Sequence, residues 1–222
     1  RIVDAIEVAG PLVRALVRGN AERVVIRAPW LFDLQYRLVA RWSPTRRLAS
    51  RLGFCLAGGA IQRLIAAERP DVIVSTYPGA NEIVSRLRLA GRLEVPVVSA
   101  ISDLAALWYW AHRGCDLHLV IHPESAAEIR GIAGPQARIE AVRGITIAAF
   151  DTPRNRGAAR SALGLPADGP VVVVSGGGWG VGDLRGAVAA ALAAGESVTV
   201  VALCGSNAQV LSELERTFAA EP

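Results

Sequence analysis

The sequence predicts an α/β protein whose helices alternate with the strands of open parallel sheets. Short apolar runs rich in β-branched residues, such as residues 71–75, 96–101 and 171–174, are typical of buried parallel strands. Segments with helical length and periodicity separate these runs, which is the pattern of repeated βα units. Ligands of such sheets bind beyond the carboxyl ends of the strands, so we expect functional residues there.

The first part of the chain is expected to begin with a short strand at residues 2–6. Residues 11–69 have a helical pattern with breaks near Pro29 and at Ser43-Pro44. Four strands are then predicted at residues 71–75, 96–101, 117–121 and 138–142, with helices at 82–91 and 123–132. The carboxyl ends of these strands place Ser75–Pro78, Ser102-Asp103 and His122 at the expected ligand edge.

A second α/β unit is predicted after a connection rich in proline and glycine at residues 144–170. Its elements are a short helix at 158–163, strands at 171–174 and 197–203, and helices at 184–194 and 209–219. We therefore divide the chain into an N-terminal domain, residues 1–148, and a C-terminal domain, residues 149–222. The chain starts without Met and stops after two strands of the second sheet, so we expect an internal fragment of a longer protein.

Composition excludes several classes of protein. No stretch of about 18 uninterrupted apolar residues exists, so no membrane-spanning helix is expected. The three cysteines, Cys55, Cys115 and Cys204, are far apart and show neither metal-ligand spacing nor a disulfide framework, which fits a reducing cytoplasm. All 24 cationic residues are arginine, a bias that carries no functional information.

Positive charge is concentrated at the N-terminus. Residues 1–51 contain ten Arg against four acidic residues, so 10 − 4 gives +6, whereas the whole chain is +4. Arginines beside aromatic residues suit an anionic membrane surface, and nucleic acid is disfavoured as the alternative partner. A solvated helix face with a buried aromatic stripe also explains the pattern. The residues proposed for membrane contact are Trp30, Trp42, Arg46, Arg47 and Arg51.

A glycine-rich loop follows the strand of four consecutive valines at residues 171–174. Glycines let a ligand approach the backbone, and Asp183 can cap the next helix, so the loop predicts binding of a diphosphate. The glycine spacing fails the G-x-G-x-x-G dinucleotide fingerprint, and Asp183 stands where a P-loop has lysine. Tight packing between strand and helix is the other explanation. The loop residues are Ser175, Gly176, Gly177, Gly178, Trp179, Gly180, Val181 and Gly182.

Several segments, in the same order, resemble one family. Residues 70–78 match its P-D-x-[IV]-[IV]-S-x-x-P segment, and residues 96–103 match its strand ending in [TS]-D. Trp110, His112, Asp116 and Val120 match W-x-H…D…V. Residues 143–150 resemble its interdomain crossover, 175–182 its glycine loop, and 204–207 its C-G-x-N motif. The family is that of monogalactosyldiacylglycerol synthases and bacterial diacylglycerol glucosyltransferases.

The resemblance implies a GT-B fold of two Rossmann-like domains, here without the first strand–helix unit and with a truncated second domain. It implies transfer of galactose or glucose from a UDP-sugar to diacylglycerol, without metal or cofactor, by an enzyme bound peripherally to the inner face of the plasma membrane. The family's catalytic histidine would precede Arg1, so we expect this fragment to be inactive. Another GT-B enzyme (a peptidoglycan N-acetylglucosaminyl transferase or a nucleotide-sugar epimerase) or a non-catalytic binding protein remains as an alternative.

The resemblance also suggests roles for individual residues. Gly205 and Asn207 would belong to the donor site, with Asn207 at the nucleotide base or ribose, or else Asn207 would cap the next helix. Tyr77 and His112 would face the acceptor, although a surface-loop position beside packed aromatic residues also explains His112. Asp103 would position the acceptor hydroxyl or support the base, or else cap the next helix. Tyr77 stands where many relatives have His; Ser102 and Thr146 replace the more usual Thr and Pro.

Overall fold

The computed structural model of the chain describes residues 1–18, 30, 34, 43–104, 107–144, 146–195 and 197–219. Two compact units are present, and the chain passes from the first to the second between Thr146 and Ile147. Both units consist of parallel strands joined by helices, so the predicted α/β class is confirmed. Across the described residues, no helix combines the length and the apolar character needed to cross a membrane.

The first unit begins with helices and continues as a parallel sheet. Among the described residues, α1 (Ala5–Val8), α2 (Pro11–Arg18) and α3 (Ser43–Glu68) precede strand β1 (Ile73–Ser75). The chain then runs through α4 (Pro78–Leu89), β2 (Val97–Ile101), α5 (Leu107–Trp110), β3 (Leu117–Val120), α6 (Ala126–Ala133) and β4 (Ile139–Ala141).

The strands of this unit lie in the order β1-β2-β3-β4, and each pairs in parallel with the strand before it in the chain. Ile73 pairs with Val97, Val98 with Leu117, and His118 with Ile139. Parallel strands need a crossover between them, and α4, α5 and α6 lie in these connections. The carboxyl ends of all four strands therefore meet at one edge of the sheet.

Two apolar clusters form the core of the first unit. One packs α3 and α4 against the start of β2 and includes Ala57, Ile61, Leu87 and Val97. The other packs α5 and α6 against the ends of β2 and β3, and its members are Ile101, Leu107, Trp110, Ala111, Val120 and Ile129. Most of these side chains are almost completely buried, so they fix the strands that position the candidate site.

The strand expected at residues 2–6 is wrong. The Asp4 carboxylate accepts hydrogen bonds from the backbone N–H groups of Ile6 and Glu7, so it caps helix α1 instead. An acidic N-cap satisfies N–H groups that a helix start leaves unpaired, and here it outweighs the β-propensity of Ile2 and Val3. Helix α4 also starts earlier than predicted, because Pro78 fits the first helical position.

In the described part of the second unit, two short helices are followed by strands that alternate with longer helices. Its elements are α7 (Ala148–Asp151), α8 (Arg156–Ala162), β5 (Val171–Ser175), α9 (Leu184–Leu192), β6 (Thr199–Leu203) and α10 (Ala208–Thr217). Strands β5 and β6 are parallel, with Val171 paired to Thr199 and Ser175 to Leu203. A cluster of Leu184, Val188, Cys204 and Leu214 packs the helices against this pair.

A buried arginine shapes the connection into β5. The Arg160 guanidinium donates to the carbonyl oxygens of Pro166 (2.8 Å), Ala167 (3.1 Å) and Gly169 (2.8 Å). Three acceptors at fixed positions suit the planar fork of arginine, which lysine cannot reproduce. This contact sets the path of the proline- and glycine-containing loop before the second sheet.

Candidate functional site

The carboxyl end of β1 leads directly into a cavity of the first unit. Ser75 is buried, and its hydroxyl donates to the carbonyl oxygen of Tyr77 (3.0 Å), which holds the turn between β1 and α4. Tyr77, one of the residues predicted to face the acceptor, is 42% exposed and lines this cavity. The predicted ligand edge at residues 75–78 therefore adjoins a real concave surface.

The cavity has a volume of about 410 Å³ and an apolar wall. Its walls come from α1, α2, α3, the start of α4, and Tyr109 of α5. Among the described residues that line it, Glu82 is the one charged side chain. The lining comprises Ala5, Ile6, Ala9, Val13, Ala49, Ser50, Gly53, Phe54, Ala57, Ile61, Tyr77, Pro78, Gly79, Ala80, Glu82, Ile83 and Tyr109.

The negative charge of Glu82 is balanced by Arg86 at the cavity wall. Arg86, one helical turn later, donates from Nε to the Glu82 carboxylate (2.6 Å) and from Nη2 to the Ser50 hydroxyl (2.6 Å). The Ser50 hydroxyl donates to the same Glu82 oxygen, so α3 and α4 are joined through this group. Sequence reasoning missed Glu82 and Ser50, although the i,i+4 spacing of Glu82 and Arg86 on a predicted helix signals the ion pair.

His112 lies on the other side of Glu82, with its Nε2 atom 3.8 Å from the carboxylate. Its Nδ1 atom accepts a hydrogen bond from the backbone N–H of Gly114 (3.1 Å), which leaves the proton on Nε2 facing Glu82. Burial lowers the pKa of His112, and the opposing attraction of Glu82 does not reverse that direction. The histidine predicted to face the acceptor thus adjoins the polar part of the cavity wall as a neutral ring.

The segment between α5 and β3 is held by buried polar side chains. The carbonyl oxygen of Trp110 accepts from Asn81 Nδ2 (2.6 Å) and from the Ser99 hydroxyl (2.9 Å). Cys115 lies within hydrogen-bond distance of Asn81 and of Ser85. Asn81, Ser85 and Ser99 are fully buried and cannot contact water. The internal hydrogen bonds therefore replace the hydrogen bonds that these side chains make to water in the unfolded chain.

His118 completes this arrangement from inside β3. Its Nε2 atom accepts from the backbone N–H of His112 (3.3 Å), and Nδ1 faces the carbonyl oxygen of Arg138 (3.3 Å). These partners assign the proton of the neutral ring to Nδ1. Burial lowers the pKa of His118, and the hydrogen bonds with the backbone of Arg138 and His112 oppose this shift without reversing it.

Asp103 and Asp116 both have local partners. The Asp103 carboxylate accepts from the Trp110 indole N–H (2.9 Å), so it anchors the aromatic segment from the end of β2. Asp116 accepts two bonds from the Arg88 guanidinium (2.8 and 3.0 Å) and one from the backbone N–H of Val97 (2.8 Å). Hydrogen bonding by Arg88 lowers the pKa of Asp116. Of the motif residues, Trp110 and His112 are linked through Asn81 and Cys115, whereas Asp116 pairs separately with Arg88 and the start of β2.

The glycine loop of the second unit is a compact turn between β5 and α9. A single 3₁₀ turn spans Gly177–Trp179, and the N–H of Val181 returns to the carbonyl oxygen of Gly176 (3.0 Å). The Ser175 hydroxyl accepts from the N–H of Gly177 (3.2 Å). Ser175, Gly177, Gly178, Trp179 and Gly182 are exposed, so the outer surface of the turn presents backbone that a ligand can reach.

Three glycines of this region are required by packing within the protein. An added Cβ at Gly180, where φ is +57°, would lie 2.0 Å from the carbonyl oxygen of Cys204. A Cβ at Gly205 would lie 2.4 Å from the carbonyl oxygens of Gly177 and Gly178, and one at Gly176 would lie 2.7 Å from Leu184. By contrast, a Cβ at Gly178 meets nothing within 4 Å. Substitution of Gly180 would therefore disturb the fold, whereas Gly178 faces open space.

Asn207 and Asp183 bind the loop to the two helices that follow. Asn207 Nδ2 donates to the carbonyl oxygen of Gly180 (3.2 Å), and its Oδ1 caps α10 by accepting from Val210 N (3.1 Å). Asp183 caps α9 by accepting from Gly186 N (2.8 Å), as the sequence predicted. Gly205 and Asn207 thus lie beside the glycine loop as part of its support.

The predicted membrane residues are only partly described. Trp42 lies outside the described residues, and so does the side chain of Arg46. Trp30 is 68% exposed, and Arg47 and Arg51 on α3 are exposed as well. Three leucines at four-residue intervals accompany these arginines on the exposed surface of α3: Leu48, Leu52 and Leu56.

Comparison with known families decides the classification of the chain. Residues 2–147 match the family described as Monogalactosyldiacylglycerol (MGDG) synthase, and the match covers more than half of the sequence. The chain belongs to this family. It is therefore a member of a family of glycosyltransferases in glycolipid synthesis, which use a lipid acceptor and a nucleotide-sugar donor. The matched region includes the cavity and the buried polar group but ends before the glycine loop. No curated protein matches the sequence.

Proposed function

We propose that the protein transfers galactose or glucose from a UDP-sugar to diacylglycerol at a membrane surface. The single observation that carries this proposal is the family match over residues 2–147. The first unit would bind the lipid acceptor, because its cavity is apolar and adjoins the carboxyl end of β1. Asp103 would act close to the acceptor hydroxyl through its place at the end of β2.

The donor would bind at the glycine loop of the second unit. The loop joins a parallel strand to a capped helix of nine residues, and it contains exposed glycines. This arrangement favours binding of an anionic group, since a helix N-terminus presents free N–H groups and the positive end of the helix dipole. Ser175 to Gly182 would hold the diphosphate, with Gly205 and Asn207 beside them. Backbone donors are sufficient for this contact, so we propose that no metal or cofactor is needed.

A titration of UDP into a protein carrying the chain tests the donor assignment directly. Calorimetry should detect binding, and transfer of radiolabelled sugar from UDP-galactose and UDP-glucose to diacylglycerol vesicles tests the reaction in a protein carrying the chain. UDP that fails to bind, or a labelled product that does not depend on diacylglycerol, contradicts the proposal.

The membrane contact is proposed for the surface of α3. Leucines between arginines suit an interface in which apolar side chains enter the headgroup boundary and guanidinium groups meet anionic lipids. We place this contact at the inner face of the plasma membrane.

Vesicle co-sedimentation measures that contact. Each Arg near an anionic surface contributes about 1 kcal/mol. Replacing both Arg47 and Arg51 with Ser should therefore weaken binding to phosphatidylserine vesicles roughly 30-fold, and 1 M salt should remove most of the difference. A double variant of Arg130→Ser and Arg156→Ser, which removes the same charge elsewhere, serves as the control. Equal loss in both double variants argues against a specific surface on α3.

A further inference from the structure

The cavity between α3 and the start of α4 has the properties of a hydrocarbon binding site. Its volume of about 410 Å³ falls within the range of about 300–1,000 Å³ that ligand pockets occupy. Almost every lining side chain is aliphatic, aromatic or glycine. Such a wall favours an apolar ligand, because it offers few hydrogen-bond partners to a sugar or a nucleotide.

The charge in the wall argues for an uncharged ligand. Glu82 is already paired with Arg86 and hydrogen-bonded to Ser50. A cationic or anionic ligand would therefore find no unpaired opposite charge among the described lining residues. A neutral hydrocarbon chain needs no charged partner, since burial of its methylene groups alone drives binding.

Helix α3 connects this cavity with the exposed leucines. Ala49, Gly53 and Ala57 line the cavity at four-residue intervals, and Leu48, Leu52 and Leu56 precede them by one position each. Residues one position apart lie on neighbouring faces of a helix. The exposed apolar row and the cavity wall are thus adjacent along the same helix.

We propose that this cavity binds one acyl chain of a neutral glycerolipid, an assignment that rests on the proposed function by naming where the acceptor is held. Gly53 is the residue that keeps the cavity open from the side of α3. Glycine is unfavourable inside a helix, yet a Cβ at Gly53 would meet nothing within 4 Å, so packing does not require it. A larger side chain at this position would project into the space that the chain occupies.

Gly53→Leu tests this assignment, with Gly59→Leu as the matched control. Both positions lie in α3, and both accept a Cβ without a close contact, but Gly59 is exposed and does not line the cavity. Thermal unfolding should show that both variants fold. Calorimetric titration with 1,2-dioctanoylglycerol, without any UDP-sugar, should give at least tenfold weaker binding for Gly53→Leu and unchanged binding for Gly59→Leu.

Chain length supplies a second readout. Each buried methylene group changes affinity about fourfold, so dioctanoylglycerol should bind wild type roughly 15-fold more tightly than dihexanoylglycerol if one chain occupies the cavity. Gly53→Leu should lose most of this difference. Equal affinities of wild type and Gly53→Leu, or wild type that binds neither lipid, would overturn the assignment.

The same variants, placed in a protein that carries the chain, separate this inference from the proposed function. UDP titration and sugar transfer report on the proposed function, whereas the lipid titration does not involve the donor. Cavity-dependent lipid binding without UDP binding supports the acyl-chain site and contradicts the glycosyltransferase proposal. Normal sugar transfer with unaltered lipid affinity in Gly53→Leu overturns the acyl-chain site and leaves the proposed function standing.

Discussion

The buried polar group of the first unit and the glycine loop of the second are held in place by opposite means. Around Trp110, the side chains of Asn81, Ser99 and His118 form hydrogen bonds with backbone groups that are shielded from water. Around Gly180, the turn closes because side chains are absent and backbone packs directly on backbone. The first arrangement should fail when an atom is removed, and the second when an atom is added.

The largest effect should come from adding one methyl group at Gly180. Gly180→Ala combines a left-handed backbone with a Cβ 2.0 Å from the carbonyl oxygen of Cys204, so the loop must move. We expect a loss of unfolding free energy on the order of 3 kcal/mol. Urea unfolding measures it, and Gly178→Ala is the control because its Cβ meets open space. Equal stability of the two variants would contradict the packing account.

A smaller loss is expected when a donor is removed from the buried polar group. Asn81→Ala deletes the bond to the Trp110 carbonyl and leaves Cys115 without its amide partner, which should lower the unfolding free energy by about 2 kcal/mol. Ser99→Ala should cost about 1 kcal/mol. Since both side chains donate to the same carbonyl oxygen, the double variant should lose more than the sum. Strict additivity would show that the two bonds act independently.

Gly178→Val sharpens the comparison, because it adds atoms to the glycine loop where packing does not forbid them. Stability should stay close to wild type, while the added side chain covers backbone that would meet the diphosphate. UDP affinity should fall at least tenfold, about 1.4 kcal/mol, in calorimetry. Unchanged UDP affinity in a folded variant would remove the outer face of the turn from the donor site.

The smallest effect concerns the protons of the buried histidines. Burial lowers the pKa values of His112 and His118, so the unfolded chain binds protons more readily than the folded one. Stability is therefore fully present above the ordinary histidine pKa of about 6.5 and declines as the pH falls below it. One histidine contributes at most about 1.4 kcal/mol per pH unit. Denaturant unfolding between pH 8 and 5.5 should show a shallower pH dependence for His118→Gln, and an unchanged slope would contradict the assignment.

The six strands that the structure describes were all predictable from short, mainly apolar runs. Val171–Ser175 follows from composition alone, because buried parallel strands are rich in β-branched residues, and Val97–Ile101 was recognised although Ser99 interrupts its apolar run. The strand at residues 2–6 failed because the capping bond of Asp4 is invisible to a count of β-propensity. Of the site, the glycine loop was visible as a motif, but the packing of Gly180 against Cys204 joins residues 24 positions apart and cannot be inferred locally. The cavity was not predictable, since its walls come from five separate helices.

The order of strands in the first sheet has a consequence for the newly made chain. Each strand pairs with the one synthesised just before it, so β2 can dock on β1, β3 on β2 and β4 on β3 as they emerge from the ribosome. No strand of this sheet must wait for a distant partner among the described elements, which shortens the loops that folding has to close. The four strands can therefore be added one βα step at a time, and β6 can join β5 by the same route after β4 has docked.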